Sequence, residues 1–211
     1  MTEDEARAWL GEQFDVPRET WAKLQALVEH TLTENSAQNL IAASTAEHIW
    51  NRHIADSAQL LKLSPARDGA LWIDLGSGAG FPGIVVALLA PWKVHLVEVR
   101  RRRAEHLASL CHHLDIERQV TVHRSRVETL QIDPAAVISA RAYAPLDRLL
   151  DSALHLSTEN TMWILPKGRY AASELEASRG TWQGEFRVEP SVTDSESSII
   201  VASGVERRRK T

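Results

Sequence analysis

Residues 71–83 read Leu71-Trp72-Ile73-Asp74-Leu75-Gly76-Ser77-Gly78-Ala79-Gly80-Phe81-Pro82-Gly83. An apolar run ends in a carboxylate. Four glycines then fall within eight residues, and an apolar stretch from Ile84 to Ala90 follows. This pattern predicts a buried strand, a tight glycine loop and a helix, the first unit of a nucleotide-type α/β sheet. Glycine suits the loop because the backbone must turn sharply and let a ligand approach, which a Cβ obstructs.

Outward from this loop, strands and helices alternate. Strands are predicted at Ala70–Leu75, Val94–Val99, Val120–His123, Ala136–Ala140, Thr161–Leu165, Phe186–Glu189 and Ser198–Ala202. Helices fit between them at roughly 80–90, 100–114, 146–156 and 171–180. Such alternation argues for a mainly parallel sheet covered on both faces. The last two strands read as a hairpin and hence an antiparallel edge. Upstream, Trp21, Leu24, Val28 and Leu32 recur at helical spacing after Asp15-Val16-Pro17. Asn35 to Leu40 reads as a polar connector, and Ser44-Thr45-Ala46-Glu47 as a capping box opening a further helix. The expected division is an N-terminal helical extension over 1–65 and an α/β domain over 66–211.

The chain has 211 residues, 44% of them hydrophobic, enough for one medium domain. Cys111 is the single cysteine, no apolar run approaches the roughly 20 residues of a membrane span, and the acidic N-terminus lacks a signal-peptide layout. A cytoplasmic monomer away from membranes is expected. Net charge is −4, yet it is unevenly spread. Residues 1–50 hold three basic and nine acidic side chains, whereas 51–150 hold thirteen and ten. A polyanion would have to meet a local patch such as Arg100-Arg101-Arg102-Arg103, or Arg118, Arg124 and Arg126. Arg207-Arg208-Arg209-Lys210 forms a further basic tail.

Two registers of the glycine loop compete. Gly78-x-Gly80-x-x-Gly83 matches the dinucleotide fingerprint, with Glu98 twenty residues on. Asp74-x-Gly76-x-Gly78-x-Gly80 resembles the S-adenosylmethionine site of class I methyltransferases. The second is favoured because the strand ends near Leu75, making Gly76 the first loop residue. In the first, Asp74 would be buried without a partner, which is costly. In the second, Asp74 supplies an acceptor for the cofactor's amino group, directly or through water. Glu98, ending the second strand, would accept hydrogen bonds from both ribose hydroxyls.

Several elements together carry a more specific likeness. They are Asn39-Leu40, Arg52-His53-Ile54-Ala55-Asp56-Ser57, the Asp74–Gly83 loop with its Phe81-Pro82-Gly83-Ile84 exit, and Glu98 with its basic run. Ser125-Arg126-Val127-Glu128, Ser139-Ala140-Arg141-Ala142 and Lys167-Gly168 complete the set. With these the chain resembles the bacterial small-subunit ribosomal RNA guanine-N7 methyltransferases, also called glucose-inhibited division protein B. The resemblance implies a Rossmann-like class I methyltransferase fold. It also implies methyl transfer from S-adenosyl-L-methionine to N7 of a specific guanine in 16S ribosomal RNA, with naked RNA or a small ribosomal subunit as partner. Gly76 and Phe81 would line the methionine and adenosine site, Gly78 would belong to the loop, and Val127 and Glu128 would meet the adenine. Arg141 would border cofactor and substrate and orient the guanine. Arg52, His53, Arg100, Arg101, Arg102, Arg103 and Lys167 are the candidate RNA contacts.

Blander readings stand beside these. The arginine run fits a solvated first helical turn equally well, although it opposes the helix dipole. Arg52 and His53 could hold cofactor, hold RNA or bridge the N-terminal helices. Cys111, His112 and His113 with His106 make no metal site, since adjacent helical residues point about 100° apart. Most tryptophans are expected in the core, with Trp50 the candidate for base stacking. A methyltransferase of a small molecule or protein, and an NAD-type binding module, remain the alternatives.

Overall fold

The computed structural model describes residues 1–65 and 68–209. Seven strands form one sheet in the order β3-β2-β1-β4-β5-β7-β6. They are β1 (Leu71–Leu75), β2 (Lys93–Val97), β3 (Val120–His123), β4 (Val137–Ala140), β5 (Met162–Lys167), β6 (Trp182–Pro190) and β7 (Ser198–Arg207). β1 to β5 run parallel, and β7 lies antiparallel between β5 and β6. The predicted hairpin therefore exists, and its second strand is the inner one.

β1 pairs with both β2 and β4. The chain moves outward on one side through β2 and β3, then crosses to β4 and β5. That reversal opens a crevice beyond the carboxyl ends of β1 and β4, where open α/β sheets bind ligands.

Alternation along β1 assigns its side chains to opposite faces. Trp72 belongs to the apolar cluster that also takes in α1 (Glu3–Gln13), α2 (Arg18–Gln38), α4 (Asp56–Leu63), α5 (Gly83–Leu89) and α6 (Arg101–His113). Ile73 and Leu75 pack with α7 (Leu146–Ala153) and α8 (Ala171–Ser178). Ala6, Leu10, Leu24 and Leu27 share one apolar cluster with Trp72, Val94 and Leu96. The N-terminal helices are thus built onto the sheet's own core, with no separate core of their own. The expected boundary between 65 and 66 falls where residue 66 lies outside the described residues.

Three N-terminal expectations are corrected. The capping box at this end is Thr2 with Glu5: Thr2 Oγ1 accepts from Glu5 N at 3.2 Å, and Glu5 returns the bond to Thr2 N at 2.7 Å. Ser44 lies inside a four-residue helix, α3 (Ala43–Ala46), whose cap position is Ala42. The polar segment from Asn35 is not a connector, since α2 continues to Gln38 and ends at Asn39 in left-handed geometry. After α3 comes a π-helical turn, Trp50–Ala55, which leads directly into α4. Glu3 of α1 caps it, accepting from Trp50 N and Asn51 N, each at 3.0 Å. Trp50 is 5% exposed, lies 6.0 Å from the Trp21 ring and has the Arg7 guanidinium 4.3 Å above it. It is a packing residue, not a stacking platform.

Candidate active site

The glycine loop leaves β1 at the crevice. Gly76 and Gly78 take φ of 69° and 56°, a region that L side chains rarely enter. Gly83 opens α5 against the strand, where a Cβ would come within 2.3 Å of Leu96 and 3.1 Å of Asp74. Only glycine lets helix and strand approach this closely.

Asp74 has a different setting from the one expected. It lies within β1 and is wholly buried. Its partners are present: Oδ1 accepts from Ser139 Oγ at 2.9 Å, and Oδ2 from Gly83 N at 3.3 Å. Ser139 is its registered neighbour on β4 and also accepts from Trp72 Nε1 at 2.8 Å. Asp74 shows the crevice no surface, so direct contact with a ligand gives way to holding the loop from behind. Burial pushes its carboxyl up to about 6, opposed by the Ser139, Ser77 and Gly83 hydrogen bonds.

Glu98 follows the end of β2 and is 5% exposed. Its carboxylate accepts from Gly78 N at 3.2 Å and from Arg100 N at 2.7 Å. It ties the middle of the loop to the start of α6. A Cβ on Gly78 would meet only the Gly76 carbonyl at 3.7 Å and an Arg103 nitrogen at 3.8 Å, so the cradle is open there. Over Gly76 the approach is closed: its Cβ would stand 2.8 Å from Tyr143. Val127 is buried in a short 3-10 turn after β3, and Glu128 beside it is exposed and pairs with Arg126 at 3.6 Å.

Beside the loop lies a cavity of about 620 Å³, within the range of roughly 300–1,000 Å³ typical of small-molecule sites. Arg52, His53, Asp56, Arg141 and Lys167 help to line it. A second cavity of about 490 Å³ holds Glu128, Arg148 and Asp151. Tyr143, Ala144 and Pro145 border both.

Arg141, one residue past β4, is the centre of the larger cavity's polar wall. Nη1 donates to the Arg52 carbonyl at 2.9 Å and to Asp56 Oδ2 at 3.2 Å, and Nη2 donates to His53 Nδ1 at 2.6 Å. The guanidinium lies 5.7 Å from the Phe81 ring, and the His53 ring lies 5.0 Å from it. Phe81, 4% exposed, therefore supports the cluster from the loop side. Burial, then the charges of Arg141 and Arg52, hold the His53 imidazole down at about 3. Asp56 also accepts from Gln59 and Thr193, each at 2.9 Å.

The candidate RNA contacts separate into two groups. Arg100, Arg101 and Arg102 are exposed at the start of α6, with Arg101 paired to Glu105 at 2.7 Å. Arg103 turns inward and donates to the Asn39 carbonyl at 3.3 Å. Arg52 pairs with Asp194 at 2.7 Å, and His53 is buried against Arg141, so neither side chain is a free surface contact. Lys167 lines the cavity but is engaged within the protein. Its side chain is 10% exposed and donates to Glu174 at 2.8 Å and to the Ala144 carbonyl at 2.9 Å. It braces the segment after Arg141, where Ala142 takes φ of 51°. At Cys111–His113 the side chains diverge: Cys111 is buried, its thiol pushed up to about 12, while His112 meets Glu117 at 2.7 Å.

Several members of the wall escape sequence reading. Tyr143 sits in no recognisable motif, Thr45 reads only as part of a capping box, and Asp194, which pairs with Arg52 from behind the wall, has no local signal. Asp56 carries a signal, because Arg52, His53 and Asp56 are three and four positions apart and share a helical face.

Comparison with known proteins agrees with this architecture. The family described as rRNA small subunit methyltransferase G matches residues 20–199. Ribosomal RNA small subunit methyltransferase G of Rhizorhabdus wittichii is 56% identical over 211 residues, covering 100% of this chain and 96% of that protein. The protein of the same name from Zymomonas mobilis subsp. mobilis is 44% identical over 218 residues, covering 100% and 97%. Among solved structures, a SAM dependent methyltransferase from Aquifex aeolicus superposes with a TM-score of 0.57 at 13% identity. That alignment covers 74% of this chain and 91% of the other, and it is a likeness of fold.

Proposed function

The chain belongs to the rRNA small subunit methyltransferase G family, and from that premise we propose that it methylates N7 of a guanine in small-subunit ribosomal RNA, using S-adenosyl-L-methionine. The observation that carries the reading is the junction of two features at the crevice. A glycine cradle pinned by Asp74 and Glu98 adjoins a cavity walled by Arg141.

The residues present fit the cofactor. The cradle is open over Gly78, Glu98 stands at the end of β2 for the ribose, and Val127 and Glu128 follow β3 for the adenine. When bound, the cofactor supplies a methyl group on a sulfonium, an electrophile. Guanine N7 carries a free lone pair at neutral pH, and no proton has to leave. No general base is required, which suits a wall whose imidazole is buried and neutral. What this chain contributes is alignment and exclusion of water. Arg141 has five N–H donors and commits three to Arg52, Asp56 and His53. The remaining two have no partner among the described residues and suit a guanine O6 acceptor, leaving N7 free.

The test of this reading is transfer of label from methyl-labelled S-adenosylmethionine to ribosomal RNA and small subunits from cells lacking the protein. Label at guanine N7 is expected. Its absence from every such substrate refutes the reading. No helix among the described residues is long and apolar enough to cross a membrane. We place the enzyme in the cytoplasm as a monomer acting on the small subunit or its RNA.

The exposed arginines at the start of α6 supply the RNA-phosphate contacts in this proposal. Replacing Arg101 and Arg102 together by alanine is expected to weaken RNA binding and to lower its salt dependence by roughly one to two in logarithmic slope. Cofactor affinity, followed by calorimetry, stays unchanged. An unaltered salt slope would return these residues to an ordinary solvated helix start.

A further inference from the structure

We propose that His53 is a positioning residue for the methyl transfer, fixed as the neutral Nε2–H tautomer between Thr45 and Arg141. The proposal rests on the RNA-methylation reading above and assigns His53 a role within it other than RNA contact.

The proton placement follows from a chain of donors. Thr45 Oγ1 donates its single proton to the Ala42 carbonyl at 2.9 Å. Toward His53 Nε2, 2.9 Å away, it has only lone pairs left, so Nε2 must carry the proton. Arginine has donors and no acceptor, so Nδ1, 2.6 Å from Arg141 Nη2, must carry the lone pair. The two ends of the ring agree on one tautomer. A protonated Nδ1 would set two donors against each other. The ring is 6% exposed, and the charges of Arg141 and Arg52 oppose a second proton.

The backbone beneath the ring is shaped for the same end. In the π-helical turn the Asp56 N–H reaches the Asn51 carbonyl, five residues back. The intervening Arg52 carbonyl accepts Arg141 Nη1 at 2.9 Å. Single π-turns within helices occur often at functional sites, and here the altered register presents a carbonyl to the guanidinium. Nη1 is thereby held by Arg52 O and Asp56, and Nη2 by His53. Rotation about the end of the side chain is blocked, and Nε–H and the second Nη2 proton are left uncommitted among the described residues. Phe81 closes the other face of the cluster, linking it to the cofactor loop.

Two measurements test the assignment. The first uses the wild-type protein with 15N-labelled histidine at pH 7. The expected signals are a protonated Nε2 and an unprotonated Nδ1 for His53, and the opposite tautomer overturns the proposal. The second compares His53→Leu with His53→Asn under saturating cofactor. Leucine keeps bulk without an acceptor, whereas asparagine places an oxygen close to the Nδ1 position. His53→Leu is expected to lower kcat by about tenfold to a hundredfold, the scale of a small misplacement of a reacting group. KM for small subunits and cofactor affinity stay within about twofold, and His53→Asn regains most of kcat. A raised KM with unchanged kcat in His53→Leu would make His53 an RNA contact and overturn positioning, as would equal loss in both folded variants. The tautomer measurement requires no activity. A wild-type protein that labels no guanine N7 would fail the functional reading and leave the tautomer result to stand by itself.

Discussion

Asp74→Ala is expected to abolish binding of S-adenosylmethionine, and Asp74→Asn to alter the dependence of stability on pH. Alanine removes the acceptors of both Ser139 Oγ and Gly83 N, which tie the start of α5 to β1. Between those anchors lies the whole glycine loop. Its three positive-φ glycines, Gly76, Gly78 and Gly80, have no packing side chains to hold them in place. A loop that must first be ordered by its ligand binds more weakly by the cost of that ordering. Calorimetric titration checks this, and affinity in Asp74→Ala within about threefold of wild type would show that Glu98 alone holds the loop.

Asparagine keeps the shape and drops the charge. Burial raises the Asp74 carboxyl from 3.8 to about 6 in the folded protein. Between those two values the folded state holds a proton that the unfolded chain has released, so stability falls as pH rises. Each tenfold change in an ionisation constant is worth about 1.4 kcal/mol, so the ionised carboxylate costs the fold on the order of 3 kcal/mol at pH 7. Asp74→Asn lacks this cost. Relative to wild type it is expected to gain about 3 kcal/mol between pH 4 and pH 7, measured by urea unfolding. A pH-independent difference would mean that Asp74 is ionised throughout, with its hydrogen bonds outweighing burial.

That burial marks the limit of what local sequence conveys. The strand–loop–helix unit is legible because apolar runs, glycines and a carboxylate succeed one another within twenty residues. Each of the seven strands overlaps a stretch that local patterning marks, but β6 and β7 run about twice as long as the Phe186–Glu189 and Ser198–Ala202 stretches expected. Local patterning does not say which polar residues meet across the fold. Of the two carboxylate partners of buried Asp74, Gly83 lies in the same stretch of sequence, whereas Ser139 stands on a different strand and leaves no local trace. Lys167 reads as a strand-end cation until Glu174, on the following helix, folds back to it. Arg52 and Asp194 meet through the docking of the β6–β7 turn on α4, a contact with no trace in either neighbourhood. The misreading of Asn35–Gln38 has another cause. Polar residues on the exposed face of a helix look like a connector when its apolar partners lie further back. Resemblance to a family supplies the site's membership, and only the three-dimensional arrangement separates residues that hold the site from residues that face its ligands.

Arg141 is where that distinction has the greatest consequence. Arg141→Lys is expected to lower kcat/KM for small subunits by on the order of a hundredfold, while cofactor affinity falls only a few-fold. Lysine preserves the charge but has three donors on a single nitrogen, so it cannot span Arg52 O, Asp56 and His53 and still present a pair to substrate. A hundredfold loss corresponds to about 2.7 kcal/mol of transition-state stabilisation, the scale of one preorganised donor in a site closed to water. Folding should survive, because Asp56 retains Gln59 and Thr193 as donors and His53 retains Thr45. Single-turnover methylation under saturating cofactor separates the two roles open to Arg141. If Arg141 serves chiefly to hold the cofactor, saturation restores the rate and the lysine variant approaches wild type. If it orients the guanine, the deficit persists at any cofactor concentration, because N7 no longer dwells in line with the methyl group. The proposal expects persistence: the guanidinium is clamped by Arg52, His53 and Asp56 and lies 5.7 Å from the Phe81 ring, with two N–H donors uncommitted among the described residues.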